Sequence, residues 1–393
     1  MKGNCATVAL AATLLLTGCS GFWDAPSSGG GGNTPVSGNI YVLNFQTAQI
    51  AGYSVSSAGK LAVLPGSPYP LPATPIPNSA ITVSPNNLFL YVSTANGIYL
   101  YNIATNGSLT LGNSTGPISN DQAVSMQVDS TNSWLVNVSA AAPYIYAIPI
   151  SPTAGTVTSK QEQFTQLPVA TVRQVVISPN NTTLFIAMGT GGTGIISFTA
   201  ANTNPIGTLS VIPVVTNGGA AQSVAVDPLG LAGQTTPRLF YIGETAATSG
   251  ANSGGLRAFD FSTRKEISGS PLPSQGLSPF WILPKSTGDY VYVVNRQTSA
   301  GTTGVIAGFA ITSSGSTFAL TPLGSTFTSG ANPQAMVEDN TGAYVFVVNF
   351  GGTPDLSGYT FSTATAGYLV SDSAVSGATG TDPVQASAIA AAH

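Results

Sequence analysis

Residues 336–349 read MVEDNTGAYVFVVN, in which an apolar stretch meets an Asp-Asn-Thr-Gly turn and then a run of β-branched and aromatic residues. Two such runs separated by Asn and Gly predict an antiparallel hairpin. The second half of this hairpin recurs as IYVLN (40–44), LYVST (90–94), WLVNV (134–138), LFIAM (184–188), LFYIG (239–243), VYVVN (291–295) and VFVVN (345–349), with starts 44 to 55 residues apart. Its first half recurs ahead of most copies as AITVSPNN (80–87), SMQVDSTN (125–132), VVISPNN (175–181), SVAVDPLG (223–230) and WILPKSTG (281–288). A third strand follows, as in GIYLYNI (97–103), PYIYAIPI (143–150), GIISFTA (194–200), GLRAFDF (255–261) and VIAGFAI (305–311), and several copies add a less regular fourth. Small sheets of four strands cannot bury both faces alone, so they stack on their neighbours around a channel. The expectation is an all-β chain folded as a seven-bladed β-propeller.

The ends of the repeat array carry the closure. The copy at Ile40 has no strand with a turn ahead of it, whereas DPVQASAIAAAH (382–393) resembles the start of NPQAMVED (332–339) and has no partner of its own. The C-terminal strand is therefore expected to complete the first blade, which removes the unpaired edges of an open array.

Ahead of the repeats, Lys2 precedes an uncharged apolar run, Ala6 to Leu16, which ends in Leu16-Thr17-Gly18-Cys19. At ~1.5 Å per residue this run is about half as long as a membrane core is thick, so it fits a signal-peptide core and not a spanning helix. The tetrad resembles the bacterial lipobox, which implies cleavage before Cys19 and lipid on that cysteine; two acyl chains anchor stably where one does not. Residues 1–19 are then a lipoprotein signal peptide, 20–38 a Gly/Ser-rich tether containing SSGGGGN, and 39–393 the propeller. Ser20 in place of Asp after the cysteine resembles the sorting pattern for the outer membrane or cell surface over the inner membrane. Trp23 beside Phe22 could dip into the interface or be an ordinary linker aromatic.

Charged residues are 6% of the chain, ten basic against fourteen acidic. Without a basic patch there is no long-range attraction to phosphate, which argues against nucleic acid as a partner. Cys5 leaves with the leader and Cys19 carries lipid, so the folded body has no disulfide. The lone histidine is His393, at the terminus, and no D-x-[DN]-x-[DN]-G array occurs, so neither a His-based metal site nor an EF-hand loop is expected, and no cofactor. A Ser-His-Asp or Cys-His set cannot be assembled. GTGGTG (189–194) has no following Lys and fits a hairpin connection. Asp129, Asp227 and Asp339 occupy the Ser position of the turn, where a short acceptor bonds nearby backbone N–H groups.

A Tyr-Val-x-Asn strand after a Ser-Pro-Asn-like turn resembles the Tyr-Val-Thr-Asn and lactonase-type seven-bladed propellers, the family of 6-phosphogluconolactonase, across residues 39–393. The resemblance implies a lactonase site of His, Arg and Glu at the channel mouth. Five residues before the turn serine of the fourth blade, the family's His position holds Arg173, and the Asp expected in the following strand falls on Met188. An Arg-His pair falls on Gln222 and Ser223, and a further Arg on Gln334; one acid matches, Glu244. Lactone hydrolysis needs a base for water and donors for the oxyanion. The weak catalytic candidates are thus Glu244 and Arg173, set against the alternative of an ion pair between blades.

The equivalent rim positions are Ser79, Val124, Phe280 and, in the first blade, Val384 or Gln385. With Gln222, Gln334 and Trp281 they predict a neutral, hydrogen-bonding rim suited to a sugar or another uncharged polar ligand. Packing between blades is the competing role for Trp281, and Trp134 is expected to be structural. The residues favour a monomeric binding or interaction module of the cell envelope, with a protein or glycan partner, over a lactone hydrolase with a degenerate site.

Overall fold

A computed structural model describes residues 36–113, 116–139, 141–158, 162–228, 235–315, 317–372 and 383–392. The leader, Cys19, most of the tether and His393 lie outside the described residues.

Seven antiparallel sheets form the blades, and the last strand, Ala386–Ala392, pairs with Val36–Asn44 to become the innermost strand of blade 1. That blade continues outward with Gln49–Ser56 and Leu61–Val63. Blades 2 to 7 each run from an innermost to an outermost strand in chain order. Their innermost strands are Ile81–Val83, Ala123–Val128, Gln174–Ile177, Ala220–Val226, Pro279–Pro284 and Pro333–Glu338. The expected closure by the C-terminal strand is what the chain adopts. Its first strand starts at Val36, three residues ahead of the boundary read from the repeats.

The core is not one mass but seven apolar layers, each shared by two adjacent blades. Ile40 and Val42 pack with Phe346 and Val348 across the seam of blades 1 and 7, as Val136 packs with Ile186 between blades 3 and 4. Second strands such as Phe89–Thr94 and Trp134–Ser139 are buried at every position, because a blade lies on either side. Outermost strands such as Ile206–Ile212 are largely exposed. The tyrosine of the repeat has a mechanical role. Tyr41, Tyr91 and Tyr292 each donate a hydroxyl to the carbonyl of a turn glycine in the next blade, Gly107, Gly155 and Gly367, at 2.7–2.8 Å. Those glycines have φ of 80°, 68° and 77°, a region that excludes most side chains. Trp134 Nε1 makes the corresponding reach to Ala200 O at 2.8 Å, the structural place expected for it.

One feature of the repeat differs from the sequence reading. The bond that closes each turn runs from Asp339 N to Tyr344 O, from Lys285 N to Tyr290 O, from Ser178 N to Thr183 O and from Ser84 N to Phe89 O. Asp129 N and Asp227 N bond Trp134 O and Leu239 O. These bonds set the phase of the second strand, so WLVNV and LFYIG begin one residue earlier in their blades than the other copies do. An apolar run carries no phase of its own; the turn supplies it.

Candidate functional site at the channel mouth

At one end of the channel, the first residues of all seven innermost strands enclose a cavity of about 560 Å³. The position five residues before the turn in each blade lines it: Ser79, Val124, Arg173, Gln222, Phe280 and Gln334. In blade 1 the lining residue is Ser387, not Val384 or Gln385. The backbone explains the correspondence. Register shifts fall between Ala221 and Ser223, Pro279 and Trp281, and Pro333 and Ala335, which leaves Gln222, Phe280 and Gln334 as the extra residues. A β-bulge re-aims the extra side chain, here into the channel. Blade 1 has the same shift at its innermost strand, opposite Leu43 and Asn44, and there the extra residue is Ser387.

Trp281, next to Phe280, lines this cavity and also one of about 330 Å³ at the other end of the channel. It packs at the same time against the layers on both sides of blade 7. Its two expected roles, rim and interblade packing, therefore coincide in one side chain.

The rim is richer in charge than the sequence suggested. Arg296 follows the second strand of blade 6, and its guanidinium lies 3.2 Å from the Phe280 ring centroid. It donates to Gln334 Oε1 and, at 3.2 Å, to Asn78 Oδ1, both on residues of the rim, while its buried Nε has no partner. Burial, and then the neighbouring Arg173, push the Arg296 pKa down to about 10, so it still carries its charge at neutral pH. Arg173 is exposed on the same mouth and forms no ion pair among the described residues. No Asp or Glu lines the cavity; Gln122, Gln174, Gln222 and Gln334 do. One guanidinium, that of Arg173, and four amides thus line the cavity with no lining carboxylate among the described residues, and the Arg296 guanidinium lies against the lining residues Phe280, Gln334 and Asn78.

Glu244 lies elsewhere. It is 1% exposed, and its Oε1 accepts Val215 N at 2.5 Å while Oε2 pairs with Arg257 Nη1 at 3.1 Å. Arg257 also grips Glu266 through Nη2 at 2.7 Å and donates to Pro213 O. Burial pushes the Glu244 carboxyl up, against the pull of Val215 N and Arg257. Glu266 and Glu244 together hold the Arg257 pKa above its ordinary value despite burial. The structure therefore gives Glu244 to an ion network joining blade 5 to the end of blade 4, and Arg173 to the channel wall.

The turn aspartates behave in two ways. Asp129 Oδ1 accepts Ser133 N and Trp134 N at 2.8 and 2.6 Å, and Asp339 Oδ1 accepts Ala343 N and Tyr344 N, the backbone role expected of them. Asp227 instead takes Arg238 at 2.9 Å and the Tyr241 hydroxyl at 2.6 Å, and burial lifts its carboxyl to about 6. GTGGTG forms the link between Thr183–Ala187 and Thr193–Phe198, a hairpin connection. Among the described residues no three His, Cys, Asp or Glu side chains converge as metal ligands would.

A ring of seven blades, closed by the C-terminal strand, defines the class: a seven-bladed β-propeller. Residues 239–392 match the family model described as "Lactonase, 7-bladed beta-propeller". The chain is similar in fold to a Bacteroides fragilis protein assigned provisionally as a 6-phosphogluconolactonase, with a TM-score of 0.68, 13% identity, and 90% of this chain and 98% of that one covered. It is also similar to the Pseudomonas aeruginosa periplasmic gluconolactonase PpgL, with a TM-score of 0.62, 15% identity, and coverage of 91% and 99%. A Lactobacillus plantarum protein gives 0.63, 14%, 91% and 99%. At such identities the likeness establishes architecture, and activity is not inherited with it. No curated protein matches the chain.

Proposed function

We propose that this protein is an extracytoplasmic binding propeller, held to a membrane by lipid on Cys19, which takes a polar ligand bearing an anionic group at the Arg173/Arg296 mouth. The observation that carries this reading is the rim itself: Arg173 in the cavity wall, Arg296 over the Phe280 ring beside it, four glutamines and no lining carboxylate among the described residues. Guanidinium groups pair with carboxylate or phosphate through directed N–H bonds, amides and serines bond hydroxyls, and Phe280 and Trp281 offer flat apolar faces. The sequence alone suggested an uncharged ligand; Arg296 adds the charge preference.

Trp281 supplies the readout, with Trp281→Phe as the control for Trp134, which is 0% exposed in the layer between blades 3 and 4, and for Trp23, which lies outside the described residues. Titration with D-gluconate is expected to change Trp281 emission, with D-glucose at least tenfold weaker. Equal response to both sugars would remove the anion preference, and no response to either would remove the site. For the anchor, Cys19→Ala is expected to release the protein from membranes into the soluble fraction.

The C-terminal match to a lactonase family model favours a second reading, lactone hydrolysis. It requires a base at the mouth, and Glu244 is engaged with Arg257 and Val215. Turnover of δ-gluconolactone that Glu244→Gln abolishes would make hydrolysis the task of the site. Absence of turnover on a lactone panel supports binding.

A further inference from the structure

Position 137 breaks the pattern of the ring. At the equivalent point of the second strand, set by the turn-closing bonds, the other six blades carry Val42, Val92, Ile186, Ile242, Val293 and Val347, all 0% exposed. Blade 3 carries Asn137, also 0% exposed, in the layer it shares with blade 2. Its Nδ2 donates to Asp121 Oδ2 at 3.3 Å, and its Oδ1 is buried without a hydrogen-bond partner. A buried acceptor left unpaired is destabilising, and valine at this position would avoid that penalty. Nothing in the blade architecture requires an amide here, since six copies do without one.

The surroundings of Asn137 share one chemistry. Across the sheet it registers with Tyr146, and Tyr146 with Phe164, so the three side chains lie on the face turned toward blade 2. Tyr144, two residues along, shares that face. The rings of Tyr144, Tyr146 and Phe164 form a triangle with centroids 5.9 Å apart on every side, and Phe164 is 62% exposed. Glu162 stands just ahead of the strand Gln163–Gln166, two residues before Phe164, and interacts electrostatically with both Tyr146 and Asp121. Asp121 and Glu162 repel each other electrostatically, and neither forms an ion pair among the described residues. Burial first, and for Glu162 then Asp121, lifts both carboxyls, that of Glu162 to about 7. Acceptors and aromatic faces are thus gathered with no ion-paired cation among the described residues.

We propose that the junction of blades 2 and 3 is a binding site for a primary ammonium group, with Asn137 Oδ1 and the Asp121 and Glu162 carboxylates accepting its N–H bonds and Tyr144, Tyr146 and Phe164 covering the carbon skeleton. Aromatic faces attract cations, and carboxylates complete the charge. The requirement for N–H separates this ligand from a quaternary ammonium, which would satisfy the rings and leave Asn137 Oδ1 unpaired. The site is independent of the channel-mouth reading and uses none of its lining side chains.

Isothermal titration of the full-length protein at pH 7.5 with cadaverine, D-glucosamine and choline tests it. At least one of the two primary amines is expected to bind, with choline about tenfold weaker or worse. Preference for D-glucosamine identifies an amino sugar as the ligand source, and preference for cadaverine an alkyl amine. Asn137→Val is expected to weaken the amine about tenfold while leaving the melting midpoint at or above wild type, a combination that a structural asparagine would not give. Phe164→Ala, a surface change, is expected to weaken binding without lowering the midpoint and carries the test if Asn137→Val does not fold. Choline binding as tightly as the amines, no heat from either amine at millimolar concentration, or unchanged affinity in both variants overturns the proposal.

Discussion

Two arginines of this propeller live in opposite circumstances. Arg257 in blade 5 sits between Glu244 and Glu266, caps Pro213 O and stacks 5.0 Å from the Phe259 centroid. Arg296 at the mouth has amide oxygens, a ring and another arginine, with a buried Nε left over. The first is a closed account of charges, in which removing any member leaves a buried ion. The second is an open one, in which the fold tolerates repulsion that only an anion from outside would relieve. Charge whose partner comes from the chain maintains structure, and charge without one marks the surface proposed to meet a ligand.

The contrast is sharpest under truncation. Arg257→Ala strands Glu244 in the interior, and thermal denaturation is expected to show a loss of about 3–5 kcal/mol, with gluconate titration of Trp281 unaffected in any fraction that remains folded. Glu338 is an intermediate case. Its carboxyl is 4% exposed, Ser286 N bonds one oxygen, and Lys285 stands 3.9 Å from the other. Burial lifts its pKa to about 7. A carboxyl whose folded pKa is raised contributes stability that is fully present below its unfolded pKa and is lost as pH rises through the folded value. The melting midpoint is therefore expected to fall between pH 5 and 8, and Glu338→Gln to remove about 2 kcal/mol of that fall. A midpoint whose pH profile the substitution does not alter would place the charge elsewhere, with Asp227 and Glu162 the next carboxyls to test.

At the mouth the expected costs move from stability to affinity. Arg296→Ala should lower gluconate affinity about tenfold or more, with the melting midpoint unchanged or raised. A midpoint drop as large as that of Arg257→Ala would break the comparison. Arg173→Gln is the smallest effect: relief of like-charge repulsion should raise stability by no more than about 0.5 kcal/mol while affinity for the anion falls.

Much of the architecture is legible in the residues, and for identifiable reasons. Turn-forming Ser-Pro-Asn, Asp-Pro and Asn-Gly segments punctuate the strands, so the blades and the closing strand can be counted, and five residues back from each turn falls on the mouth. Blade 1 escapes that rule because Ala392 stands where the other blades have a turn residue, so nothing marks Ser387 as the rim position. Arg296 escapes because it lies outside the innermost strands and reaches the mouth by folding over Phe280. The partner of Glu244 escapes because Arg257 belongs to the third strand, where the repeat carries no fixed polar residue. Asn137 was visible in WLVNV as a polar residue inside an apolar strand. Its significance depends on the true phase of blade 3, which the Asp129–Trp134 turn bond sets and the apolar run does not.

The seam of the ring has a further consequence. Asn39 pairs with Ala392 at the turn side of blade 1, so the chain enters the propeller from the face opposite Arg173 and Arg296. A pull on the chain at Val36 would load a strand zipped to neighbours on both sides. The ladders to Gln49–Ser56 and Ala386–Ala392 would share that load along their length, so the seam is held in shear and not peeled one bond at a time.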